Sequence, residues 1–96
     1  MTLAMDPPEI KRESLLTFPC VFPIKIMGRR EDGFAQTVAD IVTKHAPDFH
    51  HDTMEMRTSR NGRYLSLTVT INAKSRAQLD ALYSELSGNP MVIMVL

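Results

Sequence analysis

A two-residue segment, Asn61-Gly62, separates two runs in which polar and apolar side chains alternate. The first run covers residues 53–59 and the second covers residues 64–72. Alternation with a period of two is typical of β-strands, and Asn-Gly between two such runs is a strong signal for a β-hairpin. Both residues tolerate the positive φ angles of a two-residue type I′ turn. The sequence therefore predicts two antiparallel strands joined by such a turn.

The arginines beside this turn, Arg60 and Arg63, raise the alternative of a phosphate-binding loop. Loops that hold phosphates join a strand to a helix and direct backbone N–H groups toward the anion. Because this turn joins two strands, we interpret both arginines as solvated flanks of the hairpin.

The segment before the hairpin predicts a strand followed by a helix. Residues 21–27 alternate as in a strand, and Gly28 is expected to end that strand. Asp32 can act as the N-cap of the helix, since its carboxylate can accept the unpaired N–H groups of the first turn. Pro47 ends the helix. Its apolar face, with residues at helical spacing, comprises Phe34, Val38, Ile41, Val42 and His45.

The segment after the hairpin predicts a second helix and a last strand. Ser75 and Gln78 form a capping-box pattern that opens the helix, and Gly88 is placed to end it. Residues 91–96 are apolar throughout and predict a strand. The apolar stripe of the second helix comprises Leu79, Leu82, Tyr83 and Leu86.

These elements follow one another in the order β-α-β-β-α-β. Because each crossover between parallel strands is right-handed, the two crossovers interleave into one four-stranded antiparallel sheet. The sequence therefore predicts an α+β, ferredoxin-like fold with strand order 4-1-3-2 and both helices on one face. Residues 16–96 are expected to form this single domain, and residues 1–15 a flexible N-terminal arm.

Composition excludes several classes of protein. With 96 residues there is room for one core only, and eleven Lys and Arg balance eleven Asp and Glu. Nucleic-acid binding is therefore not favoured, since such proteins usually carry a basic excess. Cys20 is the only cysteine, which fits a reducing cytosol. Neither a membrane span nor a signal peptide is expected, so the sequence predicts a cytoplasmic protein.

Several separated motifs together resemble a known family. FPCVFPIKIMG, HAPDF, SRNGRYLSLTVTINAKS and MVIMVL occur in this order, and the chain resembles the YbeD-like family of small bacterial proteins of unknown function from about Leu16 to Leu96. The resemblance implies a ferredoxin-like fold similar to ACT domains, regulatory modules that bind amino acids and associate side by side. It also implies a link to the control of lipoate metabolism, suggested from gene neighbourhoods.

The turn between the first strand and first helix is a candidate site for a small anionic ligand. Residues 32–35, Asp-Gly-Phe-Ala, resemble the ACT pattern at this position, although the proline usual before the glycine is absent. The glycines allow close backbone approach and the arginines attract a carboxylate. The alternative is a solvated loop that Asp32 caps. The candidate residues are Gly28, Arg29, Arg30, Asp32 and Gly33.

The sheet face that the helices leave open is a candidate partner surface. The last strand is apolar on both faces, so an exposed apolar row is expected there, and such rows are typical of interfaces. An unidentified protein partner or a second copy of the chain is expected to cover it; the alternative is simple exposure. The predicted surface comprises Val21, Lys25, Met27, Arg57, Tyr64, Met91, Ile93 and Val95.

Other chemistries have weaker support. An RNA-recognition motif shares the predicted topology but needs aromatic side chains on its central strands, where this chain offers only Tyr64. His45, His50 and His51 lie near two aspartates, but His45 belongs to the helix's apolar face and His50 and His51 diverge, so no metal site is expected. No catalytic constellation or cofactor motif is present.

The sequence therefore favours a non-catalytic regulatory or adaptor domain without a cofactor that binds a protein partner. An ACT-like sensor of an amino acid or carboxylate is the alternative, and RNA binding is less favoured.

Overall fold

The computed structural model describes residues 17–96, and the predicted order of strands and helices is confirmed. A short 3-10 helix, His51–Thr53, precedes the second strand. The predicted arm over residues 1–15 lies outside the described residues, and the domain boundary at residue 16 stays a prediction. The elements are β1 Cys20–Arg29, α1 Phe34–His45, β2 Glu55–Thr58, β3 Tyr64–Ala73, α2 Arg76–Gly88 and β4 Val92–Val95.

The four strands form one antiparallel sheet in the order β2-β3-β1-β4, which is the predicted 4-1-3-2 read from the other edge. The central strands β1 and β3 pair over their whole length, from Cys20 opposite Ala73 to Arg29 opposite Tyr64. The edge strands β2 and β4 have four residues each. The long central strands β1 and β3 therefore provide most of the side chains on both faces of the sheet.

Both helices pack on one face of the sheet, as predicted. Alternate side chains of β1 and β3 are buried together with the apolar stripes of α1 and α2 in a single core cluster. Burying a large apolar side chain contributes roughly 1.5–3 kcal/mol, so this face supplies most of the stability. The most completely buried side chains are Phe34, Ile24, Ile26, Leu67, Leu82, Leu86, Val38, Val42 and Val69.

The start of α1 differs from the prediction in two ways. Strand β1 does not end at Gly28 but continues to Arg29. The N-cap of α1 is Gly33 in the left-handed conformation, with φ of 86°, and no side chain caps this helix. The predicted capping role of Asp32 is therefore wrong, because the turn places a glycine at the position where the chain needs positive φ.

The start of α2 follows the capping-box prediction. The Ser75 Oγ accepts a hydrogen bond from the Gln78 N–H at 3.1 Å. The Gln78 side chain turns back to accept from the Lys74 N–H at 2.6 Å and donates to the His45 carbonyl oxygen at 2.8 Å. Gln78 therefore also ties the start of α2 to the end of α1.

The hairpin is confirmed, but its turn is not the predicted type I′. Gly62 has positive φ, at 75°, whereas Asn61 does not. The Ser59 N–H donates to the Tyr64 carbonyl oxygen at 2.9 Å, so the loop extends from Arg60 to Arg63. The Asn61 side chain accepts hydrogen bonds from Ser59 Oγ and the Arg63 N–H, which stabilises this wider turn.

Strand β4 presents the opposite alternation from the predicted one. Val95 lies opposite Ile26 and Val92 opposite Gly28, and both pack against the core, as does Met91. Met94 lies opposite Met27 on the open face, and Ile93 is an extra residue in a bulge. The predicted placement of Met91 and Val95 on the open face is therefore wrong, because alternation cannot orient a strand whose residues are all apolar.

Candidate functional site

The open face of the sheet is built from the alternate residues that point away from the helices. The register aligns them in two adjacent rows across the four strands. One row contains Arg57, Ser66, Met27 and Met94. The other contains Glu55, Thr68, Lys25 and Leu96, where Lys25 and Leu96 exchange backbone hydrogen bonds of 3.2 and 2.8 Å.

A shallow groove of about 390 Å³ crosses this face toward the hairpin loop, and we call it the basic groove. A second depression of about 250 Å³ adjoins it and shares Lys25, Arg57 and Ser66. The lining of the basic groove is Lys25, Met27, Arg57, Thr58, Ser59, Arg60, Tyr64, Leu65, Ser66 and Leu96.

Apolar side chains lie at the β4 side of this face. Leu96 is 62% exposed and Met94 is 46% exposed, although both are large apolar residues. Ile93 in the bulge is exposed as well, and Val21 is exposed on the same face at the other end of β1. Covering apolar residues of this size with a partner lowers the free energy. These exposed residues, which we call the apolar margin, are therefore a candidate contact surface.

The cations of the basic groove make no ion pair within the described part of the chain, although Glu55 lines the adjoining depression together with Lys25 and Arg57. The side chains of Lys25, Arg57 and Arg60 make no hydrogen bond or ion pair with another described residue. In contrast, Lys44 and Lys74 each pair with a carboxylate elsewhere on the surface, with Glu85 and Asp48 respectively. The groove therefore concentrates positive charge that an incoming acidic group could neutralise.

Three further arginines lie at the end of the sheet that carries the hairpin loop. Arg29 lies opposite Tyr64 on the open face, and the Arg30 N–H donates to the Arg63 carbonyl oxygen at 2.8 Å. That hydrogen bond joins the two basic loops. Six of the eleven Lys and Arg residues of the chain thus belong to this end and the adjoining groove, against the acidic residues Glu31, Asp32 and Glu55. A neutral chain therefore carries a locally basic surface.

The predicted ligand loop, residues 28–33, is largely occupied by its own packing. A Cβ built on Gly28 would lie 2.6 Å from Phe34 Cζ and still nearer to the Met91 carbonyl oxygen. Gly28 therefore admits the Phe34 ring and not a ligand. The Thr37 N–H already donates to the Gly33 carbonyl oxygen at 2.8 Å, and Asp32 is exposed. Ligand binding at Arg29, Arg30, Asp32 and Gly33 stays a prediction.

The histidine cluster separates in the structure. His45 is half-buried at the core edge, where its Nε2 lies 2.7 Å from the Glu85 Oε1. The Lys44 Nζ also donates to Glu85, at 3.2 Å from Oε2. These hydrogen bonds, that of His45 first, hold the pKa of Glu85 below its ordinary value of 4.5. His45 therefore joins α1 to α2, as a structural role at the core edge predicts.

His50 and His51 are exposed in the loop before β2. No group of three or more metal-ligating side chains occurs among residues 17–96. In that same part of the chain, no helix is long and apolar enough to cross a bilayer.

Sequence reasoning identified part of this site and missed the rest. It selected Lys25, Met27, Arg57 and Tyr64, which the structure brings together, but it treated Arg60 as a solvated flank. Leu96 and Met94 were also missed. Arg60 could have been found, because the hairpin loop adjoins Tyr64 on the open face. Met94 and Leu96 could not, since the apolar C-terminal segment gives no signal for its orientation.

Comparison with known proteins identifies relatives over nearly the whole chain. The model of a family described as "Protein of unknown function (DUF493)" matches residues 13–96. A UPF0250 protein of Nitrosomonas europaea is 60% identical over 84 residues, covering 88% of this chain and 97% of the relative. A UPF0250 protein of Ralstonia nicotianae is 52% identical over 97 residues, covering 100% of both chains.

Solved structures share the fold. The solution structure of protein HP0495 from Helicobacter pylori has a TM-score of 0.70 at 15% identity, covering 97% of this chain and 90% of that one. The solution structure of the ACT domain from GTP pyrophosphokinase of Chlorobium tepidum has a TM-score of 0.62 at 19% identity, with 80% and 83% covered. These likenesses confirm the predicted ferredoxin-like, ACT-like architecture.

Proposed function

The chain belongs to the DUF493 family of proteins of unknown function, and on that premise we propose that it is a non-catalytic regulatory module that binds a protein partner through the open face of its sheet. The observation that carries the proposal is the combination of exposed apolar side chains and unpaired cations on one uncovered face. Met94 and Leu96 supply the apolar part, and Lys25 and Arg57 supply charge. Apolar contact gives affinity, and charge gives orientation.

The mechanism of such a module is a shift between free and partner-bound populations. The face needs no rearrangement to bind, because β1 and β3 are paired over their full length and hold its side chains in register. The paired backbone therefore loses little conformational entropy on association, and the entropy cost comes from ordering the long side chains of the face.

Affinity capture from the native cell tests the proposal. The purified chain serves as bait, and the variant Met94→Gln/Leu96→Gln removes apolar contact without adding charge. We expect the affinity for a specific partner to fall by roughly thirtyfold, since the two substitutions each remove on the order of 1 kcal/mol of apolar burial. The captured protein must then bind the purified wild-type chain directly in solution.

Ala81→Gln is the matched control for this experiment. Ala81 is exposed on α2, on the other side of the molecule from the open face, so this variant should recover the partner as the wild type does. Equal recovery with all three proteins would contradict the proposal. Recovery of the same chain, together with a dimer by light scattering, would identify a second copy as the partner.

A second candidate function is sensing of a small anionic ligand. The similarity to an ACT domain and the position of Arg29 and Arg30 next to the start of α1 favour it. The suggested link to lipoate metabolism belongs with the partner-binding function, and it is the reason to include lipoyl-type acids in the ligand panel. A ligand present at 100 times its dissociation constant raises the free energy of unfolding by about 2.7 kcal/mol, which a thermal-shift assay detects. A panel of amino acids and lipoyl-type acids without any shift would count against this function.

A further inference from the structure

We propose that the basic groove binds an extended acidic segment of a partner protein. The residues that line the groove indicate the chemistry of this occupant. Carboxylates of that segment lie beside Lys25, Arg57 and Arg60, and an apolar side chain of the segment packs against Leu96. This inference rests on the proposed function and adds the charge and conformation of the partner to it.

Charge is the first argument for an acidic occupant. The three cations of the groove make no ion pair with another of residues 17–96, and Arg29 adds a fourth cation on the same face. Glu55 is the acidic residue in the two rows that form the face. Arginine guanidinium groups bind carboxylates in a bidentate manner, which gives Arg57 and Arg60 geometric selectivity for Asp and Glu.

Shape is the second argument, and it favours a polypeptide over a small molecule. Small-molecule sites enclose most of the ligand surface in a concave pocket. The basic groove is instead a shallow furrow between side chains on an open sheet, lined from β1, β2, β3 and the residue after β4. An occupant that extends beyond the furrow, as a polypeptide does, can cover the exposed apolar margin as well.

The spacing of the cations fits an extended segment. Lys25 on β1 and Arg57 on β2 are separated by the intervening strand β3, which places their strands about 10 Å apart. Side chains on the same side of an extended chain repeat every ~7 Å. Carboxylates two to four residues apart on the partner can therefore reach both cations, with the hydroxyls of Ser66 and Thr68 between them.

A second copy of the chain is disfavoured as the occupant by the same charges. Placing two open faces against each other would bring Lys25, Arg29 and Arg57 of each copy into one interface. Among residues 17–96, Glu55 is the acidic residue of this face that could offset them. Like charges at an interface oppose association, so a face-to-face dimer is electrostatically unfavourable.

Nucleic acid is disfavoured by the lack of stacking surfaces. Single-stranded nucleic acid on a sheet of this topology stacks its bases on aromatic side chains of the central strands. The open face of β1 presents Pro23, Lys25 and Met27, and that of β3 presents Tyr64 as its one aromatic side chain. The phosphate charge would be accepted, but the bases would lack the platform that supplies much of the binding.

The test uses the purified full chain and a displayed library of random dodecapeptides as the probe. We expect the enriched peptides to contain more Asp and Glu than the unselected library, with at least one apolar residue. By fluorescence anisotropy, a synthetic copy of the most enriched peptide should bind Lys25→Glu/Arg57→Glu at least about tenfold more weakly, because attraction is replaced by repulsion. Affinity for the wild type should fall as salt is raised.

Lys74→Glu is the matched control, because Lys74 is an exposed lysine next to α2 that pairs with Asp48. This variant should bind the peptide within about twofold of the wild type. Circular dichroism and thermal unfolding show whether each variant keeps its fold. Surface substitutions of this kind usually change the free energy of unfolding by less than about 0.5 kcal/mol.

Several results would overturn the inference. One is that no peptides, or only neutral or basic peptides, are enriched from the library. Another is that the groove variant and the control lose the same affinity for the peptide. A third is that the wild type binds a twelve-nucleotide RNA more tightly than any peptide. If the enriched peptides are not acidic while Met94→Gln/Leu96→Gln still loses its partner, the acidic segment is wrong and the partner-binding function stands. If neither experiment responds, both fail.

Discussion

The two faces of the sheet are built from alternate residues of the same strands, and they differ in almost every physical respect. On the covered face, Leu65, Leu67 and Val69 of β3 are buried beneath two helices. On the open face, Ser66 and Thr68 alternate with them and lie among cations without partners. The covered face needs no partner, because α1 and α2 already bury its apolar side chains. Alternate residues of one strand therefore divide between a face that stabilises the fold and a face that is left for the proposed recognition.

The largest expected effect is the loss of unfolding free energy when a residue of the covered face is truncated, compared with the same truncation on the open face. Leu67→Ala should reduce the free energy of unfolding by about 2–5 kcal/mol, because Leu67 is 0% exposed and its removal leaves a cavity. Thr68→Ala, one residue further on the open face, should change it by less than about 0.5 kcal/mol. Urea denaturation followed by circular dichroism measures both. Similar losses for the two variants would contradict the segregation of the faces.

The next effect concerns the tight packing at the end of β1. Gly28→Ala places a methyl group against the Phe34 ring and the Met91 carbonyl oxygen, and overpacking of this kind costs typically 1–3 kcal/mol. Gly88→Ala is the control, since a Cβ there meets nothing within 4 Å and alanine favours a helix. Thermal unfolding should therefore show a lower Tm for the first variant and an equal or higher Tm for the second. Equal Tm values for Gly28→Ala and the wild type would show that Phe34 moves aside freely.

The smallest effect is a dependence on pH in the contact between the two helices. The hydrogen bonds from His45 and Lys44 hold the pKa of Glu85 below 4.5 in the folded state. The stabilisation from Glu85 is therefore fully present above the unfolded pKa and is lost as pH falls through the lower folded pKa. Glu85→Gln should flatten the decline in stability in the acid range below about pH 4.5, as measured by urea denaturation.

Glu55→Gln is the control for that measurement. Glu55 is exposed on the open face and makes no side-chain bond to another described residue. The control should therefore follow the wild-type curve. If the stability of Glu85→Gln falls with decreasing pH as steeply as that of the wild type, the predicted pH dependence of the contact between α1 and α2 is wrong.

Much of the fold and part of the site could be predicted from local patterns. The alternation of 64–72, the apolar stripe of α1 and the Ser75 cap are properties of residues a few positions apart, and each led to the correct element. Lys25, Met27, Arg57 and Tyr64 were assigned to the open face for the same reason, because each belongs to a strand whose other face is clearly apolar.

The failures have different physical causes. The orientation of β4 depends on its register with β1, and Met91, Met94 and Val95 are equally apolar, so no local signal separates them. The cap of α1 is Gly33 and not Asp32, because the chain takes a positive φ at Gly33, and the sequence offered both residues. Arg60 joins the groove because the hairpin loop spans four residues and not two.

The sequence by itself determined the order of the elements and the face on which β3 buries its side chains, since periodicity and turn chemistry act over short distances. Only the tertiary structure decided that the two basic loops meet through Arg30 and Arg63, and that Leu96 lies beside Lys25. Those placements depend on pairing between segments dozens of residues apart, which hydrogen bonds and packing select only when the whole sheet forms.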